Sequence, residues 1–226
     1  MKVVVWPCAV PGGSGEEFAL VAGPSVATAR VLIIPALFEE ANRTRRMLVE
    51  TMRALAAAGV ASVLPDLPGC NESLAPLELQ TLGDWRVAIA TAVANLAATH
   101  ILTLRGGALL AADDMPGWRF EPVGGAQALR PMLRARTVAA REEGRSETMD
   151  GLLADARERG IELIGYRLGA AMVRELEAGK TTVSAGQPAL SLDELGGAAL
   201  WLRSEPGEDA ELSAALAARL IADLAA

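Results

Sequence analysis

The chain has 226 residues, long enough for one α/β domain with an inserted segment and a substantial core. Apolar residues make up 51% of it but only eight residues are aromatic, so the core must be aliphatic and alanine-rich. The net charge of -7 arises in residues 146–226, where 14 acids face 7 bases, while residues 1–145 balance 14 against 14. That balance lacks the positive footprint that phosphate contacts need, which argues against nucleic acid as a partner.

No apolar run approaches the ~20 residues that span a bilayer. The start, Met1-Lys2-Val3-Val4-Val5-Trp6, is interrupted by Pro7 and Pro11 and has no small-residue cleavage site, so no secretory signal is expected. Cys8 and Cys70 are too few for a disulfide framework, and with His100 as the sole histidine no cluster has zinc-ligand spacing. The expectation is a cytoplasmic protein that does not span a membrane and needs no metal and no cofactor. Its oligomeric state is open.

Taken in chain order, the pattern alternates strand and helix. Gly12-Gly13-Ser14-Gly15 lies between two expected edge strands and reads as a hairpin loop. It lacks the strand and helix context of a phosphate-binding loop. Val31-Leu32-Ile33-Ile34 is a short buried strand ended by Pro35. Asn42 is placed to cap a helix over about 43–58 that stops at Gly59. Val60–Leu64 is the next strand, closed by Pro65-Asp66-Leu67-Pro68-Gly69. Thr81 and Asp84 have capping-box spacing for a helix through Ala98. Ile101–Leu104 is a third strand, with a helix N-terminus expected after Gly106, and Trp118–Val123 a fourth.

From Gly124 the character changes to Arg/Glu-rich helices over about 126–143, 147–159 and 169–178, with Glu162–Gly165 as a strand among them. Ala198–Leu202 returns to strand character and Leu212–Leu224 forms a last helix. This order predicts a mostly parallel sheet with helices on both faces. Its expected parts are a core over 1–123, a helical cap insertion over 124–195, and the last part of the core over 196–226.

In adjacent parallel strands the carboxyl ends share one crevice, where ligands bind. There the sequence places Glu39, Glu40, Asn42 and Arg43 after one strand, Asp66 and Cys70 after the next, and Arg105 with Gly106 after the third. Two readings stand side by side. Arg105 and a helix N-terminus at Gly106, with Glu39, Asn42 and Arg43, could hold a carboxylate or phosphate; alternatively Arg105 is a structural ion pair with Asp66 or Glu39. In the insertion, Arg130, Arg134, Arg141 and Arg145 fall on one helical face, opposite Met132, Leu133, Ala139 and Ala140. That stripe is either an anion-binding surface or a solvated face paired to nearby acids. Tyr166-Arg167 after Gly165 is a further turn-borne candidate, and Ser14 and Ser73 carry no particular signal.

Three segments together resemble a known family. Ile34–Met47 (IPALFEEANRTRRM) is similar to a "PPFAEEMNKSRRM" stretch, Leu64–Ser73 (LPDLPGCNES) to a "DLPGCGDS" turn, and Leu104–Ala111 (LRGGALLA) to "LRLGALLA". These belong to the exosortase A system-associated hydrolases of type 2, a branch of the α/β-hydrolase superfamily. The resemblance implies an α/β-hydrolase fold and an association with exopolysaccharide or protein-sorting loci.

An α/β-hydrolase carries its nucleophile on a strained G-x-S-x-G turn, followed by an acid and a late histidine. The matching turn here is Thr103-Leu104-Arg105-Gly106-Gly107, and the resembled family has Arg at the same place. A guanidinium stays protonated and cannot attack a carbonyl carbon. His100 precedes its strand, at the edge opposite the crevice, so no imidazole is available as base. Cys70 remains as a nucleophile if a cation such as Arg105 or Arg43 lowers its pKa; Glu40 with Asp66 is the remaining acid pair. The expectation is a degenerate, non-hydrolytic protein binding a small anionic or acylated ligand or a partner, with an atypical esterase or acyl-transfer enzyme as the alternative.

Overall fold

Short runs of β-branched and leucine residues bounded by Pro and Gly can bury both faces only inside a parallel sheet. The computed structural model, which describes residues 1–10, 13–182 and 184–226, builds that sheet from them. The chain begins with a hairpin, β1 (Lys2–Val10) and β2 (Gly13–Ala22), so Gly13, Ser14 and Gly15 belong to a strand rather than a loop. Pro11 and Gly12 lie outside the described residues.

Next come β3 (Arg30–Ile34), α1 (Glu39–Ala57), β4 (Ala61–Pro65), α2 (Leu82–Asn95), β5 (His100–Leu104) and β6 (Gly117–Phe120). α3 (Gly125–Glu142), α4 (Met149–Arg159), β7 (Ile161–Leu163), β8 (Tyr166–Leu168) and α5 (Ala170–Ala178) follow. The chain then re-enters the sheet with β9 (Ala189–Leu190) and closes with α6 (Leu192–Leu195) and α7 (Ala210–Leu224).

The main sheet has the order β1-β2-β4-β3-β5-β6-β9. β1, β2 and β4 pair antiparallel, and every pair from β4 through β9 is parallel. Period-two alternation divides each central strand between two layers. Leu32, Ile34, Val63 and Ile101 face α2, whose Trp85, Ala88 and Ala92 are buried with Met132, Met172 and Leu176 of α3 and α5. Val31, Ile33, Leu64 and Leu102 face α1 and α7 through Met47, Leu48, Met52, Leu216 and Leu220. The predicted capping box is present: Thr81 Oγ1 accepts from Asp84 N–H at 3.0 Å, and Thr81 N–H donates to Asp84 Oδ2 at 2.9 Å.

Several expectations are corrected. α1 starts at Glu39 behind Phe38, one turn before Asn42, so Asn42 is no cap; Pro35 ends β3 and two acids then sit in the first turn, where the helix dipole favours them. α2 stops at Asn95 instead of Ala98, because Ala97 takes a positive φ of 50°. No α-helix follows Gly106: Arg105–Leu110 is a six-residue 3-10 turn. Ala198–Leu202 is not a strand but ends in a 3-10 turn at Leu200–Leu202 that drops Trp201 onto the core. The sheet strand is instead β9, which pairs with β6 inside the stretch 124–195 assigned to the insertion. Glu162–Gly165 spans the turn of a separate two-stranded hairpin, β7 with β8, instead of forming one strand.

Candidate functional site

The carboxyl ends of β4, β3 and β5 do lie side by side, and what they carry is divided between a sealed ion pair and a small cavity. Arg105 leaves β5 with φ of 49°, a left-handed conformation that costs a non-glycine residue about 1–3 kcal/mol. The tight turn needs a glycine behind it: a Cβ on Gly107 would stand 2.3 Å from the Pro35 carbonyl oxygen. Arg105 Nε and Nη2 donate to Glu40 Oε2 and Oε1 at 3.1 and 3.2 Å, a bidentate fork. Nη1 donates to the Glu121 carbonyl at 3.4 Å, and the guanidinium carbon stacks 4.6 Å from the Trp201 ring centroid. Arg105 and Glu40 are 8% and 7% exposed, so the pair is largely buried.

The other candidates for an anion clamp are likewise engaged. Glu39 pairs with Arg43 at 3.4 Å, and Arg43 also donates to the Trp201 carbonyl at 2.9 Å. Gly106 is buried, with the Leu37 side chain 3.1 Å from where its Cβ would be. Of the five residues expected to bind a ligand, Asn42 lines the cavity beside the Arg105–Glu40 pair, and Glu39, Arg43, Arg105 and Gly106 do not. Asp66 is buried but points elsewhere, accepting from Asn71 Nδ2 at 2.6 Å and pairing with Arg45 at 3.4 Å. Burial raises its pKa against the opposing pull of Asn71 and Arg45. Glu40 and Asp66 therefore do not act as a pair; each is held by its own arginine.

The cavity, about 240 Å³, lies beside this lock at the ends of β3 and β4. Its walls are Leu37, Phe38, Asn42, Cys70, Trp85 and Tyr166. Phe38 sits at φ 55°, ψ -128°, a strained conformation for an aromatic residue, which turns its ring between Trp85 and Tyr166 at 5.7 Å from each. Tyr166 comes from the hairpin turn after Gly165, and its hydroxyl accepts from Asn42 Nδ2 at 2.9 Å. That bond ties the β7–β8 hairpin to α1 over the cavity.

Cys70 reaches the cavity, but the cationic neighbour expected for it is absent. Burial pushes its thiol up to about 12, and the negative neighbours Asp66 and Glu17 push the same way. A protonated thiol is no nucleophile. His100 stands at the start of β5, on the edge opposite the cavity, stacked on Trp118 at 5.7 Å and hydrogen-bonded through Nδ1 to Thr99 at 2.9 Å. Cys8 is buried in the core. Ser73 Oγ accepts from Gly69 and Ala75 N–H at 2.8 and 3.1 Å and donates to Glu17, so it staples its loop.

Arg130, Arg134 and Arg141 are exposed along α3, while Arg145 lies beyond its end and pairs with Glu143 and Glu147. Ala139, expected on the buried side, is exposed. Trp85, Phe38 and Trp201 build the site without having been singled out in the sequence. The capping box ahead of Trp85 was the one usable signal, since it places that residue at the start of a helix whose inward side faces the strand ends.

The architecture is matched by solved structures. Alpha/beta hydrolase domain-containing protein 10 from mouse superposes with a TM-score of 0.59 at 14% identity, covering 100% of this chain and 98% of that one. A protein from Agrobacterium vitis S4 described as a hydrolase gives 0.58 at 12% identity, covering 84% and 77%. The chain has the α/β-hydrolase fold. Est1E from Butyrivibrio proteoclasticus, solved with ferulic acid bound, is a third α/β-hydrolase-fold neighbour, at 0.53 and 19% identity over 78% of this chain and 74% of its own. No sequence-family model and no curated protein matches the chain. Among the described residues no helix is long and apolar enough to cross a membrane.

Within the α/β-hydrolase frame, the turn after β5 is where a nucleophile would stand. Here its strained backbone is kept and its side chain is a cation folded back on the first turn of α1. Arg105 is largely withdrawn from solvent, and among the described residues no histidine approaches it.

Proposed function

We propose that this α/β-hydrolase-fold protein does no covalent hydrolysis and instead binds a small, uncharged, acylated ligand in the cavity under Tyr166. The observation that carries the reading is the bidentate Arg105–Glu40 pair, which occupies the nucleophile's turn and is shielded from solvent. An uncharged ligand is favoured over an anionic one because neither Arg43 nor Arg105 lines the cavity, Arg105 being held by Glu40 and Arg43 standing in an ion pair with Glu39. Asn42 and Tyr166 supply polar handles at one end, while Leu37, Phe38 and Trp85 supply apolar walls. Such a balance suits an ester or amide carbonyl on a short apolar body. The exosortase and exopolysaccharide setting rests on the three motif resemblances, and we include it in the proposal. Residues 124–195 act in this reading as the cap, with the β7–β8 turn as the part that covers the ligand.

Labelling and turnover, ligand-induced stabilisation and a gene deletion test this. Fluorophosphonate labelling and p-nitrophenyl butyrate turnover are expected to be absent from the wild type and from Arg105→Ser. Benzyl acetate is expected to raise the melting temperature while hydrocinnamate, a matched carboxylate, does not; Tyr166→Ala removes the shift. Stoichiometric labelling of one residue, or stabilisation by the carboxylate alone, would overturn the proposal. Deleting the gene in its host is expected to change exported polysaccharide or sorted protein, and unaltered export would remove the pathway assignment.

A further inference from the structure

We propose that the open side of β2 is a docking groove for an extended peptide segment carrying basic side chains among apolar ones. β2 runs over Gly13–Ala22, yet β4 pairs only with Ala19–Ala22. One more bond, from Asp66 N–H to the Phe18 carbonyl at 2.8 Å, ends the contact. Because a strand's backbone groups alternate sides, Glu16 and Ser14 present their N–H and C=O in the same direction as Phe18, and among the described residues nothing pairs with them there. This is a short, free sheet edge of the kind that accepts an added strand.

The groove beside that edge holds about 660 Å³ and is walled by Pro7, Phe18 and Leu74 together with Glu16, Glu17 and Glu72. Leu74 is 99% exposed, an apolar side chain standing in solvent at the groove's rim. No Lys or Arg lines it. Glu16 and Glu72 are exposed, whereas Glu17 is 2% exposed, and its Oε1 accepts from Ser73 Oγ at 2.7 Å. Its Oε2 is buried with no hydrogen-bond partner, on the face of β2 that also buries Ala19, so Glu16 and Glu72 are the groove's solvent-facing carboxylates.

Apolar walls, the two exposed carboxylates of Glu16 and Glu72 and a free backbone edge are complementary to one chemistry: a strand whose Lys or Arg side chains alternate with Val- or Leu-like ones. The net charge of -7 favours the same encounter at a distance. The groove is separate from the cavity under Tyr166, so this inference does not depend on the proposed function.

The test uses the full chain and a fluorescein-labelled heptapeptide of alternating Val and Lys, read by fluorescence anisotropy. Saturable binding is expected, weakened by about tenfold in a Glu16→Lys/Glu72→Lys double variant and by high salt. Both positions are exposed, and an unchanged melting temperature confirms that the variant folds. Amide shifts on titration are expected at Ser14, Glu16 and Phe18. Absence of binding overturns the proposal, as does equal binding of the matching Val–Glu peptide or undiminished affinity in the charge-reversed variant. Lysine amide binding as tightly as the peptide would show an amine site without strand addition, and also overturns it.

Discussion

The buried pair at the turn after β5 makes a quantitative demand on the energetics. Glu40→Gln keeps the shape of the side chain but leaves a guanidinium that is 8% exposed facing a neutral amide. Breaking one partner of a buried ion pair costs about 3–5 kcal/mol, because the surviving charge stays desolvated. Here Trp201 at 4.6 Å and the Glu121 carbonyl retain part of the cation's stabilisation, so a cost near the lower bound, about 3 kcal/mol, is expected. Arg105→Met removes the cation and strands Glu40 in turn, for a similar loss. The double variant Glu40→Met/Arg105→Met removes both charges and refills the space, and is expected within about 1–2 kcal/mol of the wild type. Urea unfolding followed by circular dichroism measures all four species, provided the slope with denaturant stays constant across them. If Glu40→Gln costs less than about 1 kcal/mol, as surface pairs do, the turn is open to water and the lock does not exist. Additive single losses in the double variant would refute the direct pairing.

Three further outcomes follow from particular contacts. With its thiol pushed up to about 12 from an ordinary 9.0, Cys70 should react with iodoacetamide at neutral pH on the order of a thousandfold more slowly than an unperturbed thiol, as peptide mass spectrometry would reveal. Glu17 and Asp66 both have raised pKa values caused first by burial, so the folded state holds protons that the unfolded chain has released. Their contribution is fully present at low pH and is lost as pH rises through the folded values. Melting temperatures from about pH 4 upward should therefore fall less steeply in Glu17→Gln than in the wild type, and an unchanged slope would contradict the assignment. Gly107→Ala forces a Cβ to 2.3 Å from a backbone oxygen and should cost about 3 kcal/mol in the same urea assay, whereas a near-neutral effect would show the turn to be loose.

How much of this was legible in the chain differs between levels. The four predicted strands and their order of appearance could be read because a fully buried parallel strand leaves a bounded apolar run, as in Val31–Ile34 and Ile101–Leu104. The Thr81–Asp84 box could be read because both of its bonds are local. The errors fall where a distant partner overrides local preference. Ala198–Leu202 has strand composition, but β9 takes the place beside β6, and Trp201 is drawn instead to Phe120 and Arg105. Asn42 has the chemistry of a cap but sits in the first turn of α1, where Tyr166, 124 residues away in sequence, engages it.

The candidate site shows the same division. That Arg105 follows the third strand and that His100 is the sole histidine of these 226 residues are matters of residue identity and could be read from the sequence alone. Whether that cation faces a ligand or a carboxylate is a matter of distances between Arg105, Glu40 and Trp201, which come from three separate elements. Only the packed structure decides this, because burial removes water as a competitor and lets one geometry prevail over the others. Cys70 was legible as a residue at the crevice; the raised pKa of its thiol was not, since it is set first by burial in the packed fold and then by the nearby carboxylates of Asp66 and Glu17.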